Sequence, residues 1–80
     1  MREVRAKVFY DPEAAALYIQ FSDMRAASTL RLPQACKGDI YWINADFDEV
    51  GALCGIEMLL NPDSRLKQVL DECLKEAEEK

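Results

Sequence analysis

The sequence contains no histidine, which removes the commonest general base and the commonest metal ligand. It also lacks the GxxxxGK and GxGxxG loops that cradle phosphate groups. Its three cysteines are widely spaced with no CxxC pair, so neither a disulfide framework nor a zinc site is expected, and a reducing compartment is favoured. We therefore expect a protein that is not an enzyme and that needs no cofactor and no metal.

Long apolar runs are absent as well. No stretch approaches the roughly 20 residues that a membrane-spanning helix needs. The amino terminus also lacks the apolar segment of a signal peptide. These absences predict a cytoplasmic protein without membrane association.

What remains is a chain of 80 residues, half of them apolar, which is typical of a small globular domain. A chain of this size has one small core. We expect a single α+β domain over residues 1–80. In it, a small antiparallel sheet of four to five strands forms a meander over residues 3–60, and one amphipathic C-terminal helix over residues 62–78 packs against the sheet.

Alternation of apolar and polar residues predicts the strands, because successive side chains of a strand point to opposite faces. The alternation is clearest over residues 3–10 and 17–21. A shorter signal lies near residues 28–32. Residues 40–45 are apolar on both faces, which suggests a central or covered strand, and residues 52–59 form the last strand.

Two turns punctuate the sheet. Asp11 and Pro12 suit a type I turn, which a single helical turn over residues 13–16 could extend. The second turn lies between Asp46 and Gly51 and joins the last two strands. In it, Asp48 occupies the favoured first position and Gly51 takes the left-handed conformation.

The second turn also overlaps a calcium-loop pattern. Asp46, Asp48 and Glu57 fall at the first, third and twelfth positions of that pattern, and Gly51 falls at the sixth. Val50, however, stands where an oxygen ligand is required, and the flanking helices are lacking. The hairpin interpretation is therefore preferred.

The helix is expected to start at Asn61, a good N-cap, with Pro62 at the first helical position. An apolar stripe at helical spacing follows, and it predicts a helix face packed in the core. The stripe consists of Leu66, Val69, Leu70, Cys73, Leu74 and Ala77.

The net charge of −5 is unevenly distributed. The overall acidity argues against tight nonspecific nucleic-acid binding. Residues 38–64 contain acids and no base, which favours a partner protein with a basic surface. The alternative is that these acids only keep the surface solvated. The acids are Asp39, Asp46, Asp48, Glu49, Glu57 and Asp63.

The strand register predicts which side chains share a face. If Val8, Ile19 and Ile56 face the helix, aromatic and basic residues interleave on the opposite face. Such a face can bind a protein, can stack single-stranded RNA, or can simply shield the sheet. The residues of that opposite face are Arg5, Lys7, Phe9, Tyr18, Thr29, Arg31, Trp42 and Leu53.

Two stretches resemble a family of small prokaryotic and phage proteins catalogued as domain of unknown function 2283. Residues 10–19 resemble its YDPEADALYI opening, and residues 46–59 resemble its DxDxxGxLVGIEIL ending. Ala15 replaces the usual Asp, and Val50 replaces a usual polar residue. The resemblance implies a small antiparallel sheet with a helix, no enzyme activity and no cofactor. It also implies toxin–antitoxin-like and mobile-element settings.

These observations predict a noncatalytic protein-binding module. Its best form is a small acidic inhibitor that blocks a basic nucleic-acid-binding surface, like a phage anti-CRISPR protein or an antitoxin. A homodimer is also compatible with the sequence. The alternative is a nucleic-acid-binding sheet that uses Tyr18, Trp42, Arg5 and Arg31. The predicted partner-binding residues are Asp39, Asp46, Asp48, Glu49, Glu57, Tyr18 and Trp42.

Overall fold

The computed structural model describes residues 1–32 and 38–78. Within these residues it has one five-stranded antiparallel sheet and one C-terminal helix, which confirms the predicted α+β fold. In chain order the elements are β1 (Lys7–Asp11), β2 (Ala16–Gln20), β3 (Ser28–Arg31), β4 (Ile40–Phe47), β5 (Leu53–Leu60) and α1 (Arg65–Glu78).

The strand order is β1-β2-β5-β4-β3, which is not the predicted meander across all five strands. The β1–β2 hairpin and the β3-β4-β5 meander are two units joined side by side through β2 and β5. The backbone hydrogen bonds explain why. The amides of Phe21 and Ser22 both donate to the carbonyl of Cys54 on β5, and the amide of Ala27 donates to the carbonyl of Phe47 on β4. The chain therefore crosses the β4–β5 hairpin before β3 begins.

The register separates two faces, as predicted. Val8 pairs with Ile19 and Ile19 with Ile56, so these three side chains share one face, here called the inner face. Tyr10 lies on the inner face by the same alternation, and its hydroxyl donates to Asp71 of α1. The helix therefore lies on the inner face, and the opposite, outer face is free of the helix.

The first strand is shorter than predicted. It starts at Lys7 and not at Glu3, because Lys7 pairs with Gln20, the last residue of β2. Residues 3–6 consequently have no partner in β2. Arg5 therefore lies outside the sheet.

The turn between β1 and β2 contains no helical turn, which corrects that prediction. Asp11 Oδ1 accepts hydrogen bonds from the amides of Glu13 and Ala14, and Ala15 adopts a left-handed conformation with φ 52°. A left-handed residue cannot continue a right-handed helix. Ala15 also ties the turn to β5, since its carbonyl accepts the amide of Leu60.

The helix begins at Arg65, later than predicted, because Ser64 and not Asn61 is its N-cap. The Ser64 hydroxyl accepts the amide of Lys67, as an N-cap oxygen does for the third helical residue. Asn61 instead organises the preceding turn, where its side chain accepts the amide of Asp63 and its carbonyl accepts the amide of Ser64.

The core is small. Leu60 and Cys54 are the largest fully buried side chains of the described residues, and Ala15 and Ala45 are also buried. On the inner face of edge strand β1, Val8 remains 64% exposed. The core is therefore concentrated at β5, near the centre of the sheet.

The apolar stripe of the helix is only partly covered, which corrects the prediction that it packs in the core. None of the fourteen residues of α1 is fully buried, and Val69 and Cys73 are exposed. A helix is about 10 Å wide, whereas five strands spaced about 4.8 Å apart form a wider surface. One helix therefore covers part of the inner face. Cys36 lies outside the described residues.

Candidate functional site

The outer face carries a hydrogen-bonded group centred on Asp46. Its carboxylate accepts the Thr29 hydroxyl at 2.6 Å and the Tyr18 hydroxyl at 3.3 Å. The Tyr18 ring reaches Asp46 by lying over Gly55, where a Cβ would overlap the phenol and sit 2.9 Å from the carbonyl oxygen of Ile19. Burial and the neighbouring Asp46 raise the pKa of Tyr18, so its hydroxyl stays a donor.

A second polar chain lies beside it. The Arg31 guanidinium carbon is 4.6 Å from the centre of the Trp42 ring, within the range of a cation–π contact. Arg31 Nε donates to Asn44 Oδ1 at 3.3 Å, and Asn44 Nδ2 donates to Glu57 Oε1 at 3.4 Å. This series of side-chain contacts thus runs from edge strand β3 across β4 to β5.

A cavity of about 400 Å³ opens over β1 and β2, within the usual range for ligand pockets. Its charged lining residues are Asp11 and Glu57, and it has no basic lining residue within residues 1–32 and 38–78. The lining also includes two aromatic residues of the outer face, Phe9 and Tyr18, which pair across the strands. The complete lining is Val8, Phe9, Tyr10, Asp11, Ala16, Leu17, Tyr18 and Glu57.

The β4–β5 turn confirms the hairpin interpretation. Asp48 is buried, and its Oδ1 accepts the amides of Val50 and Ala52. Gly51 has φ 84°, the left-handed conformation predicted for it, and its amide donates to the Asp48 carbonyl. Across the part of the chain that the structure describes, no three His, Cys, Asp or Glu side chains are grouped as a metal site.

The predicted partner-binding residues are only partly brought together. Tyr18, Trp42, Asp46 and Glu57 share the outer face. The other three are elsewhere: Glu49 is exposed in the hairpin turn, Asp48 is buried there, and Asp39 precedes the opposite end of β4. Since β4 has eight residues, Asp39 and Glu49 are separated by roughly 25 Å.

Two residues of this face were not among the predicted site residues. Asn44 joins Arg31 to Glu57, and its signal in the sequence is that it is the single polar side chain in the otherwise apolar run from Ile40 to Ala45. Phe9 lines the cavity although 53% of it is exposed, and a large exposed aromatic on an edge strand is the corresponding signal.

On the inner face, Asp71 attaches the helix to the sheet. It accepts the Tyr10 hydroxyl and the Lys67 ammonium, the latter at 2.7 Å. These hydrogen bonds from Lys67 and Tyr10 lower the pKa of Asp71. Burial and the bond to Asp71 raise the pKa of Tyr10 to about 12. The group is thus a structural contact between helix and sheet.

Comparisons with known proteins place the sheet in a family. The model of a family described as protein of unknown function, DUF2283, matches residues 7–60, from the start of β1 to the end of β5. Neither the curated proteins nor the solved structures contain a significant match to the chain. In the described residues, no helix has the length and apolar character needed to cross a membrane.

Proposed function

The chain belongs to the DUF2283 family of proteins of unknown function, and from that premise we propose that it is a noncatalytic protein-binding module. More narrowly, it is a small acidic inhibitor that covers a basic, nucleic-acid-binding surface of its target, in the manner of a phage anti-CRISPR protein or an antitoxin. The resemblance to proteins of mobile-element settings supports this choice by association only.

The observation that carries the proposal is the position of the acidic segment in the sheet. Residues 38–64, which contain six acids and no base, form the β4–β5 hairpin and its flanks. This hairpin lies between β2 and β3, so Asp46 and Glu57, the two acids within its strands, are central in the sheet. The basic residues Lys7 and Arg31 belong to the edge strands β1 and β3. A basic surface docking on the sheet would therefore meet carboxylates first.

The outer face also has the aromatic anchors that interfaces use. Tyr18 and Trp42 are half-buried, and each is held by a neighbour: Tyr18 by Asp46 and Trp42 by Arg31. Side chains that are already ordered lose less entropy when a partner binds. Tyr18 on β2 and Trp42 on β4 lie on either side of β5, which carries Glu57. A docking partner would therefore contact aromatic and acidic side chains at the same place.

Neither cysteine of the described residues supports a catalytic alternative. Burial, followed by Asp48 and Asp46, raises the pKa of the Cys54 thiol, which keeps it protonated and unreactive at neutral pH. Cys73 is exposed on the helix, and within residues 1–32 and 38–78 its thiol has no ion-pair or hydrogen-bond partner. A binding role therefore fits these residues better than chemistry does.

Charge reversal with a matched control tests the electrostatic part. A tagged variant with Asp46→Lys, Glu49→Lys and Glu57→Lys should lose the protein that wild type captures from a native-host or phage-infected lysate. The control, Glu3→Lys, Glu72→Lys and Glu76→Lys, makes the same change in net charge at exposed sites outside the sheet. It should keep the captured protein at about 150 mM salt, where long-range attraction is screened.

Circular dichroism should show both triple variants folded. Capture that survives the triple change in the β4–β5 hairpin, or that is lost equally in the control, would contradict docking through the acids of this hairpin.

A second candidate function has its own supporting observation, the basic and aromatic pair Arg31–Trp42 on an exposed sheet. A nucleic-acid-binding sheet would use such rings to stack bases. Against it, Arg31 lies on the Trp42 ring, and Glu57 and Asp46 stand beside Tyr18. A gel shift with single-stranded RNA at about 150 mM salt tests it. A shift that Trp42→Ala abolishes would favour this function over the inhibitor.

A further inference from the structure

The cavity over β1 and β2 belongs to the outer face. Phe9, Ala16, Tyr18 and Glu57 all project to that face by strand register. Asp11 joins them because it pairs with Ala16. The remaining lining residues have side chains on the inner face, so they reach the cavity through their backbones.

The geometry of Tyr18 explains why the space is open. Its ring lies over Gly55, which pairs with Gln20, two positions further along β2. Ala16 lies two positions away in the opposite direction. The phenol therefore leans away from Ala16, and the small Ala16 side chain forms a floor between Tyr18 and Asp11.

The two carboxylates of the cavity, Asp11 and Glu57, have no basic side chain beside them in the cavity lining of the described residues. Glu57 accepts one hydrogen bond, through Oε1 from Asn44, and Asp11 uses Oδ1 for the turn amides of Glu13 and Ala14. Within residues 1–32 and 38–78, Glu57 Oε2 and Asp11 Oδ2 accept no hydrogen bond. Two carboxylates and two aromatic rings around one space make an environment suited to a cation.

The same face shows which cation fits. Arg31 lies against the Trp42 ring while its Nε donates to a side-chain oxygen of the neighbouring strand. The cavity repeats this combination of aromatic surface and adjacent oxygen acceptors, but it contains no arginine of its own among the described residues. A planar guanidinium can stack on a ring and donate to a carboxylate at once, whereas an ammonium cannot use both in this way.

We propose that this cavity receives the guanidinium group of an arginine side chain from a partner protein, which stacks against Phe9 and Tyr18 and donates to Glu57. The inference rests on the proposed function, because it names the residue type that a basic partner surface inserts. Asp11 adds a second negative charge at the end of the cavity.

Titration of the ¹⁵N-labelled protein with N-acetyl-L-argininamide tests the inference. Backbone amide shifts should concentrate at residues 9–11, 16–18 and 57. The lysine analogue, N-acetyl-L-lysinamide, should bind about fivefold more weakly because it cannot stack as a plane. The neutral isostere, N-acetyl-L-citrullinamide, should bind about tenfold more weakly because it carries no charge.

Three variants and one control locate the site. Glu57→Gln should weaken argininamide binding about fivefold, and Phe9→Leu should weaken it about threefold. Ala16→Leu should abolish it by filling the floor. Glu72→Gln removes an equal charge from an exposed position of α1 and should leave binding unchanged.

The inference is overturned by any of three results: no binding of argininamide, equal binding of the citrulline analogue, or equal effects of Glu57→Gln and Glu72→Gln. Its failure is distinguishable from that of the proposed function. Loss of the argininamide site together with charge-dependent capture of a partner removes the cavity and keeps the inhibitor. An intact argininamide site without charge-dependent capture of a partner would keep the cavity as an arginine site and remove the proposed inhibitor function.

Discussion

The two faces of the sheet are stabilised in different ways. On the outer face, side chains from neighbouring strands are linked by hydrogen bonds, with Asp46 and Asn44 as the central acceptors and donors. The inner face is apolar, yet its cover is incomplete: Leu30 at one edge is 54% exposed and Val8 at the other is 64% exposed. The outer face, which the helix does not cover, is thus linked by polar contacts between strands. The inner face is only partly covered by the helix.

This difference separates stability from recognition. The inner face supplies the buried apolar area on which folding depends, and that area is concentrated near Leu60 and Cys54. The outer face contributes orientation, because its hydrogen bonds fix Tyr18 and Asp46 at the surface. Substitutions on the two faces should therefore affect different measurements.

Neighbouring leucines of β5 test the comparison most strongly. Leu60 is 1% exposed, whereas Leu59 pairs with Ala16 and Trp42 on the outer face and is half-buried. Leu60→Ala should lower the free energy of unfolding by about 3 kcal/mol, because it leaves a core cavity. Leu59→Ala should lower it by about 1 kcal/mol. Urea denaturation measures both, and equal losses would contradict the assignment of the core to the inner face.

Gly55 tests how firmly the outer face is built. Gly55→Ala should lower the free energy of unfolding by about 2 kcal/mol, because the new methyl group overlaps Tyr18 and crowds the Ile19 carbonyl. It should also displace the Tyr18 hydroxyl from Asp46. Adding Tyr18→Ala should then cause less loss than it causes in wild type, since removal of the ring also removes its overlap with the new methyl group. Strictly additive losses in this double-mutant cycle would show that the Tyr18 ring does not lie over Gly55.

The smallest effect concerns the contact between helix and inner face. The pKa of Asp71 is lowered in the folded state, so its charged form stabilises the fold above the unfolded pKa of about 4, and this contribution is lost as pH falls through the folded pKa. Asp71→Asn should therefore lower Tm slightly at pH 7. The difference in Tm between wild type and Asp71→Asn should disappear under acid conditions, where wild-type Asp71 is also neutral. A gap of constant size across this pH range would exclude the charge as its cause.

Much of the fold could be predicted because it depends on local patterns. Alternation identified β1 and β2, and the apolar run over residues 40–45 identified β4. The sharing of one face by Val8, Ile19 and Ile56 was also predicted. Asp48 and Gly51 identified the hairpin turn. The strand order could not be predicted, since it depends on which distant edge the chain reaches after β2. The N-cap was misplaced because Asn61 and Ser64 are both good caps, and only the tertiary hydrogen bonds of Asn61 assign it to the turn.

The site was predicted less completely for a related reason. From residue type alone, all the acids were equally good candidates for partner binding. In the structure, the Asp48 carboxylate accepts turn amides, and Asp39 lies at the far end of β4. The cavity depends on the direction in which the Tyr18 ring leans over Gly55. That direction follows from a contact between β2 and β5 and leaves no periodic signal.

The helix rests on the sheet without one fully buried residue among its fourteen. Because no helix residue is fully buried, we expect local opening of the helix to need less free energy than global unfolding. Its amide protons should exchange with solvent through local opening, while those of β5 should exchange only when the whole chain unfolds. Local opening of the helix would make the inner face of the sheet accessible to solvent without unfolding the sheet.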